Sequence, residues 1–241
     1  PTLSLATGPS SNDSSCMVRF DRNDYLQLLN CGTLNVEWTV PYDGTWITAL
    51  EFSPDGRQFA TADTDLRIQV RDKLDRRLVA SLRHLEDVRD LAFSPDGKWL
   101  AVTATDGYTS VWEIETGEKV FNHKLASWGR SVEFSPDGRL MAVAGNAPDI
   151  LIVDTGSWSV ARRFRARDHV RALAFHPDGR LLASAHNDAI IRVWNLATGE
   201  LVRVLVGHVE GAVFTLVFHP TGRTLISSGT DSTIRFWDLA T

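Results

Sequence analysis

The chain contains 241 residues, of which 43% are hydrophobic and 23% charged, and its formal net charge at neutral pH is −5. This balance is typical of a folded globular domain, and the acidic net charge argues against a general nucleic-acid binder. Two cysteines, Cys16 and Cys31, are too few for a disulfide scaffold and favour a reducing compartment. No apolar run approaches the roughly 20 residues of a membrane span, and no signal peptide is visible. We therefore expect a cytoplasmic protein that binds neither membranes nor nucleic acid.

The first predicted strands form a weak copy of a unit that recurs along the rest of the chain. Residues 16–30 align without a gap with residues 181–195, which places Leu28 at Val193 and Leu29 at Trp194. The alternating segment Leu3-Ser4-Leu5 is then the predicted innermost strand of this unit. We therefore predict a first sheet within residues 1–41.

Five clear copies follow, each marked by a phenylalanine, a serine or histidine, a proline, a variable residue and a glycine. The prolines are residues 54, 95, 136, 177 and 220, so successive copies are 41, 41, 41 and 43 residues apart. Proline presets the backbone of a tight turn, and glycine accepts its left-handed position. Each segment therefore predicts a strand, a tight turn and a second strand.

The copy around Pro177 shows how many strands each unit contains. Leu173 and Phe175 alternate with alanines before the turn, and residues 181–185, 190–195 and 201–205 give three further short strands. No stretch has the caps and the 3.6-residue spacing of a useful helix. Four short strands in each repeat of about 41 residues are the pattern of β-propeller blades.

The predicted fold class is therefore all-β, with a single β-propeller domain over residues 1–241. Six blades of four antiparallel strands are countable, and the last lacks its outer strand. Propellers avoid open sheet edges by closing the ring, usually with a strand from the other end of the chain. We therefore expect a fragment of a longer protein, or closure through self-association or with the help of a partner. The approximate blade bounds are 1–41, 42–83, 84–124, 125–165, 166–206 and 207–241.

The ends of the third strands carry the clearest family signature. Three of them read Trp112-Glu113, Trp194-Asn195 and Trp237-Asp238, and Gly207-His208 opens the last repeat. With these motifs the chain resembles the WD-repeat (tryptophan-aspartate repeat) β-propeller family, and its regular Ser-Pro-Asp-Gly-Arg turns are similar to those of bacterial members. The resemblance implies a non-catalytic protein-interaction scaffold without a cofactor.

The resemblance also implies a structural hydrogen-bond network of His, Ser or Thr, Asp and Trp within a blade. The last blade matches it fully, the fifth has Ala166 in place of the histidine, and the third has Val102 in place of the serine. A satisfied network rigidifies a sheet, so we expect the blades to differ in stability. The predicted members are His208, Ser227, Asp231 and Trp237 in the last blade, Ser184, Asp188 and Trp194 in the fifth, and His84, Asp106 and Trp112 in the third.

A hydrolase triad and a metal site are the alternatives to a non-catalytic scaffold. His208, Ser227 and Asp231 have the residue types of a hydrolase triad, but their order follows the repeat and no Gly-x-Ser-x-Gly elbow is present. The seven histidines lack the spacing of a metal site. We expect no metal and no enzyme activity, and a propeller hydrolase remains a minor alternative.

The repeat register also predicts a binding surface. The position seven residues before each turn proline is mostly β-branched and should point into the core, so its two neighbours should point the other way. By the resemblance these neighbours face the top surface and channel mouth. Arginine and tryptophan are common in binding hot spots, and arginine suits carboxylate or phosphate. The predicted partner-binding residues are Trp46, Thr48, Asp87, Arg89, Trp128, Arg130, His169, Arg171 and Phe214.

The leading functional prediction is a scaffold that holds a partner protein or peptide, preferably an acidic one, on this top face. An ordinary channel rim, with the arginines paired to Asp87, Asp90 and Asp168, is the alternative for these residues. The alternative for the whole chain is a regulatory or sensor domain of a larger signalling enzyme, such as a kinase, a caspase-like protease or an NTPase.

Overall fold

The computed structural model describes residues 15–20, 25–30, 35–41 and 46–239. Within these ranges the regular secondary structure consists of twenty-two β-strands in six antiparallel sheets, which confirms the all-β prediction. No helix in the described part of the chain has the length and apolar character needed to cross a membrane.

The chain divides into two compact units. One contains Pro1–Val102 and Val111–Val120, and the other contains Thr103–Ser110 and Phe121–Thr241. The first unit therefore holds the first two sheets and part of the third, and the second unit holds the rest of the third sheet and the last three.

The first sheet has three described strands, whose register confirms the weak N-terminal repeat. Met17 lies opposite Leu29, as Leu182 lies opposite Trp194 in the fifth sheet. The alignment of residues 16–30 with residues 181–195 is therefore correct. The predicted innermost strand at Leu3-Ser4-Leu5 lies outside the described residues. The strands pair in the order β1 (Ser15–Phe20), β2 (Tyr25–Asn30) and β3 (Val36–Pro41).

The second and third sheets each contain four strands in sequential order, as predicted for propeller blades. Ile68 and Val70 of the second sheet pack with Val88, Leu91 and Phe93 of the first strand of the third sheet, and all five are buried. A core thus forms between the faces of successive sheets. The strands are β4 (Ile47–Phe52), β5 (Gln58–Asp63), β6 (Arg67–Asp72) and β7 (Leu78–Arg83), then β8 (Val88–Phe93), β9 (Trp99–Ala104), β10 (Tyr108–Glu113) and β11 (Lys119–Lys124).

The last three sheets repeat this packing within the second unit. Ile191 and Val193 of the fifth sheet are buried with Val213, Leu216 and Phe218 of the sixth. The sixth sheet has three strands among the described residues, which agrees with the predicted lack of an outer strand. The strands are β12 (Gly129–Phe134), β13 (Leu140–Gly145), β14 (Ala147–Asp154) and β15 (Ser159–Arg165), then β16 (Val170–Phe175), β17 (Leu181–His186), β18 (Ile190–Asn195) and β19 (Leu201–Val206), then β20 (Val213–Phe218), β21 (Thr224–Gly229) and β22 (Ile234–Asp238).

Pro-Asp-Gly turns connect the first and second strands of the second to fifth sheets. At Pro136, Ser135 donates its hydroxyl to Asp137 at 2.7 Å, and Gly138 has a φ of 71°. The hydrogen bond from Ser135 opposes the effect of burial, and with the bond from the Arg139 backbone it keeps the pKa of Asp137 below its usual value. These turns fix one end of each first strand, and the predicted binding residues lie at the other end.

The first turn of the fifth sheet also contacts the first turn of the sixth sheet. The Nε2 atom of His176 lies 3.0 Å from the carbonyl oxygen of Gly222, and its Nδ1 lies 2.7 Å from Asp178. A Cβ at Gly222 would approach His176 Nε2 to 2.4 Å. His176 therefore has a structural role that links the turns of the fifth and sixth sheets.

Candidate functional site

The register that defines the predicted binding surface is correct. Val88, Val170 and Val213, seven residues before their turn prolines, are fully buried. Gly129 occupies this position in the fourth repeat, where a Cβ would lie 1.7 Å from Thr103 Oγ1, so only glycine fits. The flanking residues are less buried: Trp128 and His169 are exposed, and Arg130 and Arg171 are partly buried.

Five predicted residues of the second unit lie at this end of their strands, and we call them the rim: Trp128, Arg130, His169, Arg171 and Phe214. Trp128 and Phe214 are each 50% exposed, and His169 is exposed as well. The guanidinium carbon of Arg130 lies 5.9 Å from the Trp128 ring centre, and that of Arg171 lies 5.8 Å from the Phe214 ring centre. Both arginines are thus within range of a cation–π interaction.

Each rim arginine also has an asparagine partner that the sequence analysis missed. Arg130 donates from Nε to Asn146 Oδ1 at 2.9 Å, and Arg171 donates from Nε to Asn187 Oδ1. The Asn146 backbone N–H in turn donates to the Trp128 carbonyl at 2.8 Å. We call each pair an Arg–Asn anchor. Its sequence signal was an arginine and an asparagine that both recur after 41 residues.

The other predicted binding residues lie in the first unit. Trp46 is 67% exposed and Arg89 is exposed, whereas Thr48 and Asp87 are partly buried. Thr48 donates its hydroxyl to the Ala62 carbonyl at 3.3 Å. The register position of Asn146 holds Thr64 in the second repeat and Thr105 in the third, so these repeats lack the asparagine of an anchor.

The alternative pairing of the arginines with nearby carboxylates does not occur at Arg171. Within the described residues Arg171 forms no ion pair, and its recorded partners are Asn187 and the ring of Phe214. Asp168 accepts a hydrogen bond from the backbone N–H of His169 at 2.7 Å.

The predicted network of the sixth sheet is present in full. Trp237 Nε1 donates to Ser227 Oγ at 2.8 Å, Ser227 lies 2.8 Å from His208 Nε2, and His208 Nδ1 lies 2.9 Å from Asp231. Burial opposes ionisation of Asp231, but hydrogen bonds from His208 and Thr233 outweigh it and hold its pKa below the usual value. The order Ser-His-Asp resembles a hydrolase triad, yet Ser227 is only 1% exposed and accepts the tryptophan N–H.

The fifth sheet completes the same network with a histidine that lies just beyond the strand predicted at residues 181–185. Trp194 Nε1 donates to Ser184 Oγ at 2.7 Å, and Ser184 lies 2.8 Å from Nε2 of the buried His186. His186 Nδ1 lies 3.2 Å from the Asp168 carbonyl. Asp188, a predicted member of the network, pairs instead with Arg192 at 2.6 Å. His186 provides the imidazole that is missing at Ala166.

The third sheet lacks the hydroxyl, as predicted from Val102, and the consequence is visible at Trp112. The Nε1 atom of Trp112 is buried and has no hydrogen-bond partner among the described residues. His84 is buried in the first unit, and Asp106 accepts a hydrogen bond from the Tyr108 backbone at 2.8 Å in the second.

Comparison with protein families decides what these repeats are. The model described as "WD domain, G-beta repeat" matches residues 37–72, 76–113, 158–195 and 199–238, more than half of the chain. The chain belongs to the WD-repeat family. Three WD-repeat matches include the tryptophans Trp112, Trp194 and Trp237. No curated protein matches the sequence.

The unmatched residues 114–157 contain most of the fourth sheet. There, all four network positions of the WD repeat have been replaced, by Leu125, Val143, Ala147 and Val153. In the described residues of the chain, no three His, Cys, Asp or Glu side chains lie close enough together to hold a metal ion.

Proposed function

We propose that this WD-repeat protein is a non-catalytic scaffold that binds a partner protein or peptide through the rim. WD repeats in general serve protein interaction, and the observation that carries the proposal is the pair of half-exposed aromatic rings beside Arg130 and Arg171. Aromatic and arginine side chains that anchor a partner dominate the energy of most interfaces. The rest of the chain positions them on rigid strands.

The partner surface is proposed to be acidic. The protein carries a net charge of −5, yet two of the five rim residues, Arg130 and Arg171, are cationic. Complementary charge raises association rates and selects partners more than it raises affinity. Binding should therefore weaken as salt is added, because exposed charges are screened beyond roughly 10 Å at 0.1 M salt.

A comparison of two charge-reversed variants tests this proposal. The rim variant carries Arg130→Glu and Arg171→Glu, and the control carries Arg139→Glu and Arg180→Glu in the exposed turns at the other end of the strands. Both make the same change in net charge. We expect proteins captured from a lysate by the parent and by the control to be lost by the rim variant, with all three melting cooperatively. Equal capture by all three would contradict the proposal.

The outer face of the sixth sheet supports a further contact. Ile234 and Phe236 are 68% and 71% exposed, whereas Ile191 and Val193 at the same register positions of the fifth sheet are buried under β20. We propose that this apolar face packs against a further WD-type sheet, whose first strand carries the buried Val, Leu and Phe pattern of β20. Self-association or a partner could provide that sheet.

Cysteine labelling at position 236 tests this contact. We expect Phe236→Cys to react with a maleimide far more slowly than Thr221→Cys, which is exposed in a turn. Protection that rises with protein concentration identifies a second copy of the chain as the source of the covering sheet. Equal labelling of both cysteines at every concentration would contradict the contact.

A further inference from the structure

A cavity of about 260 Å³ lies within the second unit, in the fourth repeat. Its walls come from the end of β11 and the segment that follows it, from the end of β13, and from β14 and β15. Leu125, Ala147 and Leu151 form its apolar part. Since an apolar cavity of about 150 Å³ is large enough for benzene, this one has room for an aromatic ring with a short chain.

The cavity lies at the register positions that form the hydrogen-bond network of the sixth sheet. Three of its lining positions hold polar side chains there, with an imidazole 2.9 Å and a guanidinium 3.7 Å from one carboxylate. The corresponding pairs are Leu125 with His208, Ala147 with Asp231 and Leu151 with Arg235. The fourth repeat therefore provides neither an imidazole nor a polar partner for one at these positions.

The fifth sheet fills the corresponding space from another position, and the fourth repeat does not do this either. His186 provides the imidazole there, and Gly145 stands at its register position. A Cβ at Gly145 would lie 1.9 Å from the carbonyl oxygen of Trp128, so this backbone admits only glycine. The cavity thus follows from the replacement of every side chain that fills this space in the next two repeats.

Positive charge exceeds negative charge at the border of the cavity. Asp149 is the one carboxylate that lines it in the described part of the chain, and it lies 3.0 Å from Arg163 and 3.8 Å from Arg165. Lys124 also lines the cavity and forms no ion pair with a described residue; its recorded partners are a backbone carbonyl and the ring of Tyr108. A border of this charge favours a ligand with an anionic group.

His123 forms another part of the wall, and aromatic neighbours hold it in place. Its ring stacks on that of Phe121, with the ring centres 6.0 Å apart and the planes at 10°. The ring of Phe121 in turn lies 6.0 Å from that of Trp158. A wall that contains a fixed ring suits a ligand with a ring of its own, because aromatic pairs pack in preferred geometries.

We infer that this cavity binds a small amphipathic carboxylate, with a ring of about phenyl size against Leu125 and Leu151 and the carboxylate at the border near Lys124. The site uses none of the rim residues, so the inference goes beyond the proposed interaction function. The shared chemistry is an aromatic ring joined to a carboxylate by a short chain. Free aromatic acids and the C-terminal residue of a peptide both provide it.

Isothermal titration calorimetry with three probes that carry the same ring tests this inference. The probes are 3-phenylpropanoate, its neutral amide 3-phenylpropanamide, and N-acetylglycyl-phenylalanine with a free carboxylate. The parent should bind a carboxylate probe at least about tenfold more tightly than the amide. Tighter binding of 3-phenylpropanoate identifies a free acid as the source, and tighter binding of the dipeptide identifies a peptide end.

Two substitutions with matched controls assign the binding to the cavity. Ala147→Leu places a larger apolar side chain in the cavity and should abolish binding of every probe, whereas Ala161→Leu, at an exposed position of β15, should retain it. Lys124→Gln should reduce the preference for carboxylate over amide to below about threefold, and Lys98→Gln, in an exposed turn, should keep it. The exposed substitution at Lys124 keeps the test decisive even if Ala147→Leu does not fold.

Three results would overturn the inference: no saturable binding of either carboxylate by the parent, equal affinity for the carboxylates and the amide, or a preference for carboxylate that survives Lys124→Gln. Unchanged binding by a folded Ala147→Leu variant would place the ligand outside the cavity and overturn it as well. The lysate comparison tests the rim through other residues, so failure of one proposal leaves the other standing.

Discussion

The hydroxyl oxygen of Ser184 lies 2.8 Å from Nε2 of His186, and the two residues are separated by a single residue on the same strand. In the sixth sheet, the corresponding serine bonds instead to His208, which precedes the first strand. Gly229 stands at the position of His186 there, and a Cβ on it would lie 3.2 Å from His208 Nδ1. The same space beside the serine is therefore filled by an imidazole from either of two positions.

Moving the histidine of the fifth sheet from position 186 to position 166 takes two substitutions, and their effects on the free energy of unfolding should be coupled. Ala166→His alone places a second imidazole in occupied space, and His186→Gly alone leaves Ser184 without its partner. The double variant recreates the arrangement of the sixth sheet, so its free energy of unfolding should exceed the additive expectation by about 1–3 kcal/mol. Urea unfolding of the four proteins measures this coupling. Additive effects of the two changes would show that the histidines do not share one space.

Burial of His186 makes the stability of the protein depend on pH. Burial, with the charge of Arg192, lowers the pKa of His186 from 6.5 to about 4. Between these values the unfolded chain binds a proton that the folded chain does not, so stability falls as the pH decreases from 6.5 towards 4. From pH 7 to 4.5 the parent should lose on the order of 2 kcal/mol through this group.

Urea unfolding at the two pH values checks this dependence in three proteins. His186→Gln should remove most of the loss, and His169→Gln, at an exposed position, should retain it. An equal loss in all three proteins would assign the pH dependence to other groups.

The unpartnered indole of Trp112 offers a stabilising substitution. Val102→Thr keeps the shape of the buried side chain and brings a hydroxyl to the register position from which Ser184 accepts the Trp194 N–H. Satisfying a buried donor should raise the free energy of unfolding by about 1 kcal/mol.

Val143 provides the matched control for this substitution. It is equally buried at the same register position, but the fourth repeat has Val153 in place of the tryptophan. Val143→Thr should therefore destabilise the protein by about 1–3 kcal/mol, because it buries a hydroxyl without that donor. Similar effects at both positions would disprove a role for the Trp112 N–H.

The tie between His176 and Gly222 is tested by two glycine substitutions. Gly179 and Gly222 have almost the same φ, 71° and 73°, but a Cβ at Gly179 has nothing within 4 Å. Gly179→Ala should lower the free energy of unfolding by roughly 1 kcal/mol, through backbone strain alone. Gly222→Ala should lower it by about 1–3 kcal/mol more, because the new Cβ clashes with His176. Equal losses in thermal or urea unfolding would show that His176 moves away freely.

The period of the repeat predicted most of the fold. Five turn prolines at steps of 41 or 43 residues located the strands, and the buried valines at positions 88, 170 and 213 fixed which side chains point outward. The sequence did not reveal how space is shared between repeats. His186 fills the volume that Ala166 leaves empty. The repeat pattern does not predict this, because no other repeat has a histidine at the position of His186.

At the rim, too, the repeat pattern predicted the positions of the residues but not the contacts between them. Register placed Trp128, Arg130, Arg171 and Phe214 on one end of their strands, but the roles of Asn146 and Asn187 depend on a hydrogen bond across two strands. Asn187 lies in an ordinary turn between β17 and β18, and only the contact with Arg171 Nε shows that it positions a charged group.

The affinity of a captured partner for Trp128→Ala tests the central claim most directly. The substitution removes the half-exposed ring beside Arg130 and leaves the buried strand positions unchanged. If the rim is the binding site, titration of the purified partner should show at least about tenfold weaker binding, as expected for an aromatic anchor. Affinity equal to that of the parent, in a variant that melts like the parent, would contradict the assignment of the rim as the interaction site.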